Sequence, residues 1–243
     1  SYTSILITGE TGTGKNRLAS YIHENSTRSA KKMVSVNCAA LPGNLLESEL
    51  FGYAKGAFTG ASPNGRSGLL DEANGGTLFL DEVNSLPFDL QGKLLSVLET
   101  RQYKPIGSNQ VKYSDFRLIC ASNESLKELV KNGSFRCDLY YRINVVPIHM
   151  PSLADRREDI IPLSNYYCAF FSDKNNVVKV ISSEMCKKLE NYTWPGNVRQ
   201  LKNAIERLVV MTPHDKIEIE ESFFPLIEES FELGLRSSAD SYN

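Results

Sequence analysis

The stretch Gly9-Glu10-Thr11-Gly12-Thr13-Gly14-Lys15 decides how the rest of the chain is read. It follows the apolar run Ile5-Leu6-Ile7 and precedes Asn16–Ser26, which sets Leu18, Ala19 and Ile22 on one helical face. A buried strand, a glycine turn and a helix start, in that order, make an anion site, because backbone N–H groups converge where the helix begins. Glycine tolerates the left-handed backbone that lets a loop wrap closely around phosphate. Lys15 is then in reach of β- and γ-phosphates. The spacing is G-x-x-x-x-G-K-[ST] with one departure. Asn16 stands where a Ser or Thr hydroxyl would ligate Mg²⁺. An amide oxygen serves a metal through water or a weaker contact, so the metal falls to another residue.

Outward from the loop, Thr77-Leu78-Phe79-Leu80 leads straight into Asp81-Glu82. This reads as a buried strand carrying two carboxylates at its C-terminal end. In an open parallel sheet, ligands bind at the carboxyl ends of strands, which puts Asp81 and Glu82 beside the phosphates. There Asp81 suits Mg²⁺ and Glu82 suits the orientation or deprotonation of water. Further strands are expected at Met33–Asn37, Phe116–Ala121 and Val145–Ile148. Helices are expected at Asn44–Leu50, with Asn44 as N-cap, at Leu69–Gly76, a short one closed by its glycines, at Pro87–Thr100 and at Ser125–Asn132. Gln102–Tyr113 reads as a hairpin around Gly107-Ser108-Asn109. Strands alternating with helices imply a mostly parallel, doubly wound sheet.

After Pro151 the pattern changes. Asp159–Phe171, Ser182–Asn191 and Asn197–Met211 all read as helical, with Ser182 and Asn197 as helix starts. The expected organisation is an α/β nucleotide-binding domain at 1–152, a small all-α lid domain at 153–230 and a disordered tail at 231–243. Between the helices and strands of the first domain lies Gly56-Ala57-Phe58-Thr59-Gly60-Ala61, too rich in glycine for a helix interior. A single aromatic flanked by small residues either tucks into the core or is presented to a partner. Residue chemistry alone leaves both open.

Of the 243 residues, 41% are hydrophobic and 23% charged, as in ordinary globular domains. The net charge of −2 argues against a strongly basic nucleic-acid binder and leaves room for a local basic patch. There is no apolar run of membrane-spanning length and no signal-peptide pattern. Five scattered cysteines without C-x-x-C spacing fit reduced thiols in a cytoplasm. The first strand lies almost at the start of the chain, which reads as a piece of something longer.

Together, the phosphate loop, the strand ending Asp-Glu, the strand followed by Asn and the helical lid resemble the AAA+ P-loop ATPases. Three segments sharpen this. Gly56–Ala61 matches GAFTGA, the signature of bacterial enhancer-binding proteins that activate sigma-54 RNA polymerase. Phe135-Arg136-Cys137-Asp138-Leu139-Tyr140-Tyr141-Arg142 is similar to that family's FRxDLYYR segment, and Trp194-Pro195-Gly196-Asn197-Val198-Arg199 to its WPGNVR segment. The resemblance implies a five-stranded, mostly parallel sheet flanked by helices and followed by the lid. It implies that Gly9, Glu10, Thr11, Gly12, Thr13, Gly14, Lys15 and Asn16 hold ATP, with Arg199 as the lid's sensor arginine. Asp81 and Glu82 become the Walker B pair, Asp81 supporting Mg²⁺. Asn37 becomes the switch that holds Glu82 off water, and Asn123 the sensor of the γ-phosphate. Arg136 and Arg142 become arginine fingers acting on ATP held by a neighbouring subunit of a ring, a hexamer. Gly56, Ala57, Phe58, Thr59, Gly60 and Ala61 become the contact with sigma-54.

There are departures. The family usually has Glu where this chain has Asn16, and an Arg before Val-Gly where this chain has Pro105-Ile106-Gly107. DNA binding is expected only from a domain outside this chain. The resulting expectation is a cytoplasmic ATPase domain that remodels the closed sigma-54 promoter complex. The alternatives are another AAA+ remodeller, or a nucleotide-binding scaffold without turnover.

Overall fold

The computed structural model describes residues 3–58, 62–213 and 215–217. It forms two compact units. The first joins the segment ending at Gly9 to Lys15–Met150; the second joins Glu10–Gly14 to the segment starting at Pro151. Thr59, Gly60 and Ala61, and the tail at 231–243, lie outside the described residues.

In chain order the first unit runs β1 (Ile5–Thr8), α1 (Lys15–Glu24), β2 (Met33–Asn37), α2 (Gly43–Phe51), α3 (Leu69–Glu72) and β3 (Thr77–Asp81). It continues with α4 (Phe88–Thr100), β4 (Gln102–Tyr103), β5 (Lys112–Tyr113), β6 (Arg117–Ser122), α5 (Leu126–Lys131), α6 (Cys137–Ile143) and β7 (Val146–His149). Five strands form one parallel sheet in the order β2-β3-β6-β1-β7. Successive side chains on a strand point to opposite faces, and here both faces are covered. Leu6, Leu78, Leu80, Leu118 and Cys120 join the larger core with Leu46, Leu50, Leu70, Leu94 and Phe135. Their strand neighbours Ile5, Ile7, Phe79, Ile119 and Ala121 pack on the other face with Ala19 of α1. Burial on both faces is why these strands read as continuous apolar runs rather than as alternating ones.

The sheet's carboxyl edge is set by register. Asn37 lies beside Asp81, and Thr8 beside Ser122 on one side and His149 on the other. β4 and β5 pair antiparallel as the expected hairpin. Isolated bridges join Tyr53 to Arg66 and to Ile106, fastening the base of the 54–65 loop to that hairpin. Gly107 makes room for this joint: its φ is +72°, and a Cβ there would lie 2.8 Å from the Cβ of Ala57.

The N-cap expected at Asn44 is corrected. α2 starts one residue earlier, after Pro42, with no side-chain cap. Proline fixes a φ that suits a helix entry, so the helix begins without one.

The second unit contains α7 (Ile160–Lys174), β8 (Val180–Ile181), α8 (Ser183–Asn191), α9 (Asn197–Met211) and β9 (Lys216–Ile217). On α9, Leu201, Ala204, Ile205, Leu208 and Val209 recur at helical spacing and bury against Phe171, Met185, Leu189 and Trp194. Ser182 caps α8 as expected, its hydroxyl accepting from Met185 N at 3.1 Å. One addition to the helical pattern is the short parallel pairing of β8 with β9. Asn197 is not a helix cap: its φ is +53° and its side chain is turned to other partners.

Candidate active site

The strands of the sheet deliver polar groups to the carboxyl edge of the first unit. β1 ends in the glycine loop, and Gly9 N donates to Ser122 O of β6 at 3.3 Å. Lys15 opens α1, only 6% exposed, and its Nζ donates to Gly9 O at 2.6 Å. Asn16 Nδ2 donates to Asp81 Oδ2 at 2.9 Å, so the residue after the lysine reaches the strand-end carboxylate directly. The other oxygen, Asp81 Oδ1, accepts from Glu82 N at 3.0 Å.

Glu82 follows immediately with φ 51° and ψ 48°. A non-glycine residue in this left-handed region carries strain of about 1–3 kcal/mol, held in place by its surroundings. Cys38, buried beside the strand end, has its thiol pKa pushed up to about 12, first by burial and then by the negative charge of Asp81 and Glu82.

Asn37 lies next to Asp81 in the sheet, and its Oδ1 accepts from Ala39 N at 2.8 Å, closing the turn after β2. Asn123 follows β6 and is exposed. These placements bring Lys15, Asn16, Asn37, Asp81, Glu82 and Asn123 to one edge of one sheet.

The two arginines of α6 are elsewhere. Arg136 forms a two-pronged pair with Asp138, Nε to Oδ1 at 3.1 Å and Nη2 to Oδ2 at 2.7 Å, and lies over the Phe88 ring at 5.8 Å. The pairing holds the Asp138 carboxyl below its ordinary range. Arg142 donates from Nη2 to Leu98 O at 2.9 Å. It lines a cleft of about 300 Å³ with Thr3, Ser4, Arg101, Leu118 and Val145. Ser4 and Val145 precede β1 and β7, so this cleft is at the amino-terminal edge of the sheet. A four-residue strand spans about 13 Å, so the cleft that Arg142 lines lies a strand's length from the carboxyl edge.

In the second unit, the loop residues Glu10–Gly14 are engaged by residues of the helical part. Arg199 is exposed, and its backbone N donates to Gly12 O at 3.2 Å. Asn197 and Arg156 also bond to this loop; motif spacing gave Asn197 a different role and did not single out Arg156. The one available signal was the Asn directly after Trp-Pro-Gly. Phe58 is 46% exposed, its ring edge-on to Tyr53 with centroids 5.0 Å apart. Of the two options for this aromatic, the structure takes neither fully: the ring leans on Tyr53 and half of it faces solvent.

The sequence model of the family described as "Sigma-54 interaction domain" matches residues 1–149, and that of the "AAA+ ATPase lid domain" matches residues 154–230. An uncharacterized protein in the HyuA 5′ region of Pseudomonas sp. (strain NS671) is 46% identical over 219 residues, covering 90% of this chain and 74% of that protein. The regulatory protein AtoC of Escherichia coli K12 is 49% identical over 213 residues, 87% of this chain and 46% of AtoC. A crystal structure of NtrX from Brucella abortus in complex with ATP superposes with TM-score 0.81 at 35% identity, covering 90% of this chain and 48% of NtrX. The chain thus spans about half the length of AtoC and of NtrX. The fold agrees with these matches. The chain belongs to the sigma-54 interaction domain family of AAA+ P-loop NTPases.

Proposed function

We propose that this domain hydrolyses ATP and uses the energy to remodel the closed promoter complex of sigma-54 RNA polymerase. The observation that carries the reading is the linked corner at the sheet's carboxyl edge, where Asn16 beside Lys15 bonds to Asp81 and Glu82 comes next in the chain. Support comes from the family match and from NtrX, which was crystallised with ATP.

The triphosphate lies on the loop 9–15, and Lys15 exchanges the Gly9 carbonyl for the β- and γ-phosphate oxygens. Mg²⁺ at phosphate sites commonly takes one or two carboxylates plus the phosphates themselves. Asp81 supplies one carboxylate, which fits, whereas no cluster of three or more acidic, His or Cys residues stands ready among the described residues. When bound, the ion offsets charge on the phosphate oxygens. Glu82 orients or deprotonates the attacking water, with Asn37 restraining it, Asn123 sensing the γ-phosphate and Arg199 serving as the lid's sensor arginine. Arg142, at the far edge of its own sheet, serves the nucleotide of a neighbouring subunit, and Arg136 with it. The active form is a ring of copies, a hexamer. Residues Gly56–Ala61 engage sigma-54, and a domain outside this chain binds DNA.

The test pairs two readouts on Thr59→Ala: the ATP hydrolysis rate, and retention of sigma-54 with ADP–aluminium fluoride. Hydrolysis near the unsubstituted rate with sigma-54 retention abolished is expected. Normal retention and promoter opening by the variant would remove the sigma-54 assignment and leave a general AAA+ remodeller.

A further inference from the structure

Three consecutive carbonyls of the glycine loop each receive a donor from the helical part of the second unit. Asn197 Nδ2 donates to Thr11 O at 3.1 Å, Arg199 N to Gly12 O at 3.2 Å, and Arg156 Nη2 to Thr13 O at 2.8 Å. Asn197 also donates to Glu10 Oε2 at 3.0 Å, and its Oδ1 accepts from Leu153 N at 2.7 Å. It is fully buried and holds φ +53°, a conformation that Asn adopts more readily than most residues. Arg156 is likewise held off the regular path, at φ −134° and ψ 56° inside the 3₁₀ segment Ala154–Asp159. Gly12 permits the close approach, since a Cβ there would sit 2.3 Å from Gly196 O.

In a trans peptide the carbonyl and the next residue's N–H point in opposite directions. Fixing the carbonyls of Thr11 and Thr13 outward therefore turns the N–H groups of Gly12 and Gly14 the other way. The intervening Thr13 N is turned back within the loop, to Glu10 O at 3.4 Å, and Thr13 Oγ1 donates to the same oxygen at 2.8 Å. A glycine-rich loop free in solution would lose much conformational freedom on closing around an anion. This one is closed beforehand.

We infer that Asn197 and Arg156 are positioning residues, which hold the phosphate loop in its anion-accepting shape through its outward carbonyls. The inference rests on the nucleotide-binding reading above and adds to it a role for two side chains of the helical part. It places the loop's order under the control of residues more than 140 positions away in sequence.

The decisive variant is Asn197→Asp. It keeps the oxygen that accepts from Leu153 N and removes the donor to Thr11 O, while setting a carboxylate against Glu10. Affinities for ATP and for inorganic tripolyphosphate are measured by titration calorimetry, with the melting midpoint of the ligand-free protein alongside. We expect both affinities to fall about tenfold when measured well below the ligand-free midpoint, which itself drops because a buried carboxylate is set against Glu10. Adding Glu10→Gln supplies an amide donor opposite the new carboxylate and recovers part of the loss, which a merely structural role would not produce. Arg156→Met provides a second, independent test with the same expected direction. Unchanged affinity in both folded variants overturns the inference. So does a loss that tracks a lowered midpoint and shows no recovery in the double variant. Lys15→Ala is the control. If it abolishes binding while Asn197→Asp and Arg156→Met do not weaken it, only the positioning role falls. If the unsubstituted protein binds neither ligand, the nucleotide reading fails and the positioning role with it.

Discussion

Glu82 keeps a left-handed backbone where nearly every other residue type would also be strained, and its backbone N–H donates to Asp81 Oδ1. Glu82→Gln preserves size and backbone while removing the base. ATP is therefore expected to stay bound while turnover drops by about 10²-fold or more, checked by phosphate release against calorimetric affinity. Glu82→Gly relieves the backbone strain. It should raise the unfolding free energy by about 1 kcal/mol while losing turnover, so that denaturant midpoint and activity move in opposite directions. Lys15, Asp81 and Glu82 could be placed at the ends of elements from the sequence because each adjoins an apolar run that fixes where a strand stops or a helix starts. The bonds from Asn16 to Asp81 and from Asn197 to Thr11 could not. They join residues 65 and 186 positions apart, and neither motif nor periodicity encodes such a pairing.

The central strands were readable because burial on both faces demands unbroken apolar runs, as in Leu78-Phe79-Leu80 and Leu118-Ile119-Cys120-Ala121. The short pairing of β8 with β9 was not, since two residues a strand carry no period and the partners are far apart in sequence. Helix starts divided by mechanism. Ser182 acts by its own hydroxyl and was legible, whereas Asn44 was misled by Pro42, which sets the entry through its ring. Ser182→Ala should accordingly cost about 1 kcal/mol, seen as a lower melting midpoint with nucleotide affinity unchanged. The joint between the 54–65 loop and the β4–β5 hairpin belongs to this scale too. Gly107→Ala meets both a positive φ and the Cβ of Ala57. It should weaken sigma-54 retention while leaving ATP affinity near the unsubstituted value, and equal retention would show that the joint does not matter to the loop.

Across the whole chain, the placement of Arg142 at the amino-terminal edge of the sheet makes a statement about assembly. On the proposed reading the arginine acts on a nucleotide held by another copy, since the cleft it lines is at the edge of the sheet opposite the strand ends that carry Asn37 and Asp81. On that reading a Lys15→Ala subunit does not hold ATP, and an Arg142→Ala subunit does not assist its neighbour. Mixing the two creates interfaces with an intact site on one side and an intact arginine on the other. Turnover is expected to reappear in the mixture, from a background lowered by about 10³-fold or more in each variant alone. Mixed rings with no recovered turnover would place the arginine in a structural role. The closure at Tyr53 has a different kind of consequence. Because that residue bridges both Arg66 and Ile106, the chain between 53 and 66 departs and returns at a single point. For such an excursion, chain statistics make the entropy of closure logarithmic in length, about 0.6 kcal/mol for each doubling. A dozen added residues at the tip should scarcely alter the unfolding midpoint. The reach of the loop is thus a quantity that insertion and deletion can tune on its own, leaving the framework that carries it nearly untouched.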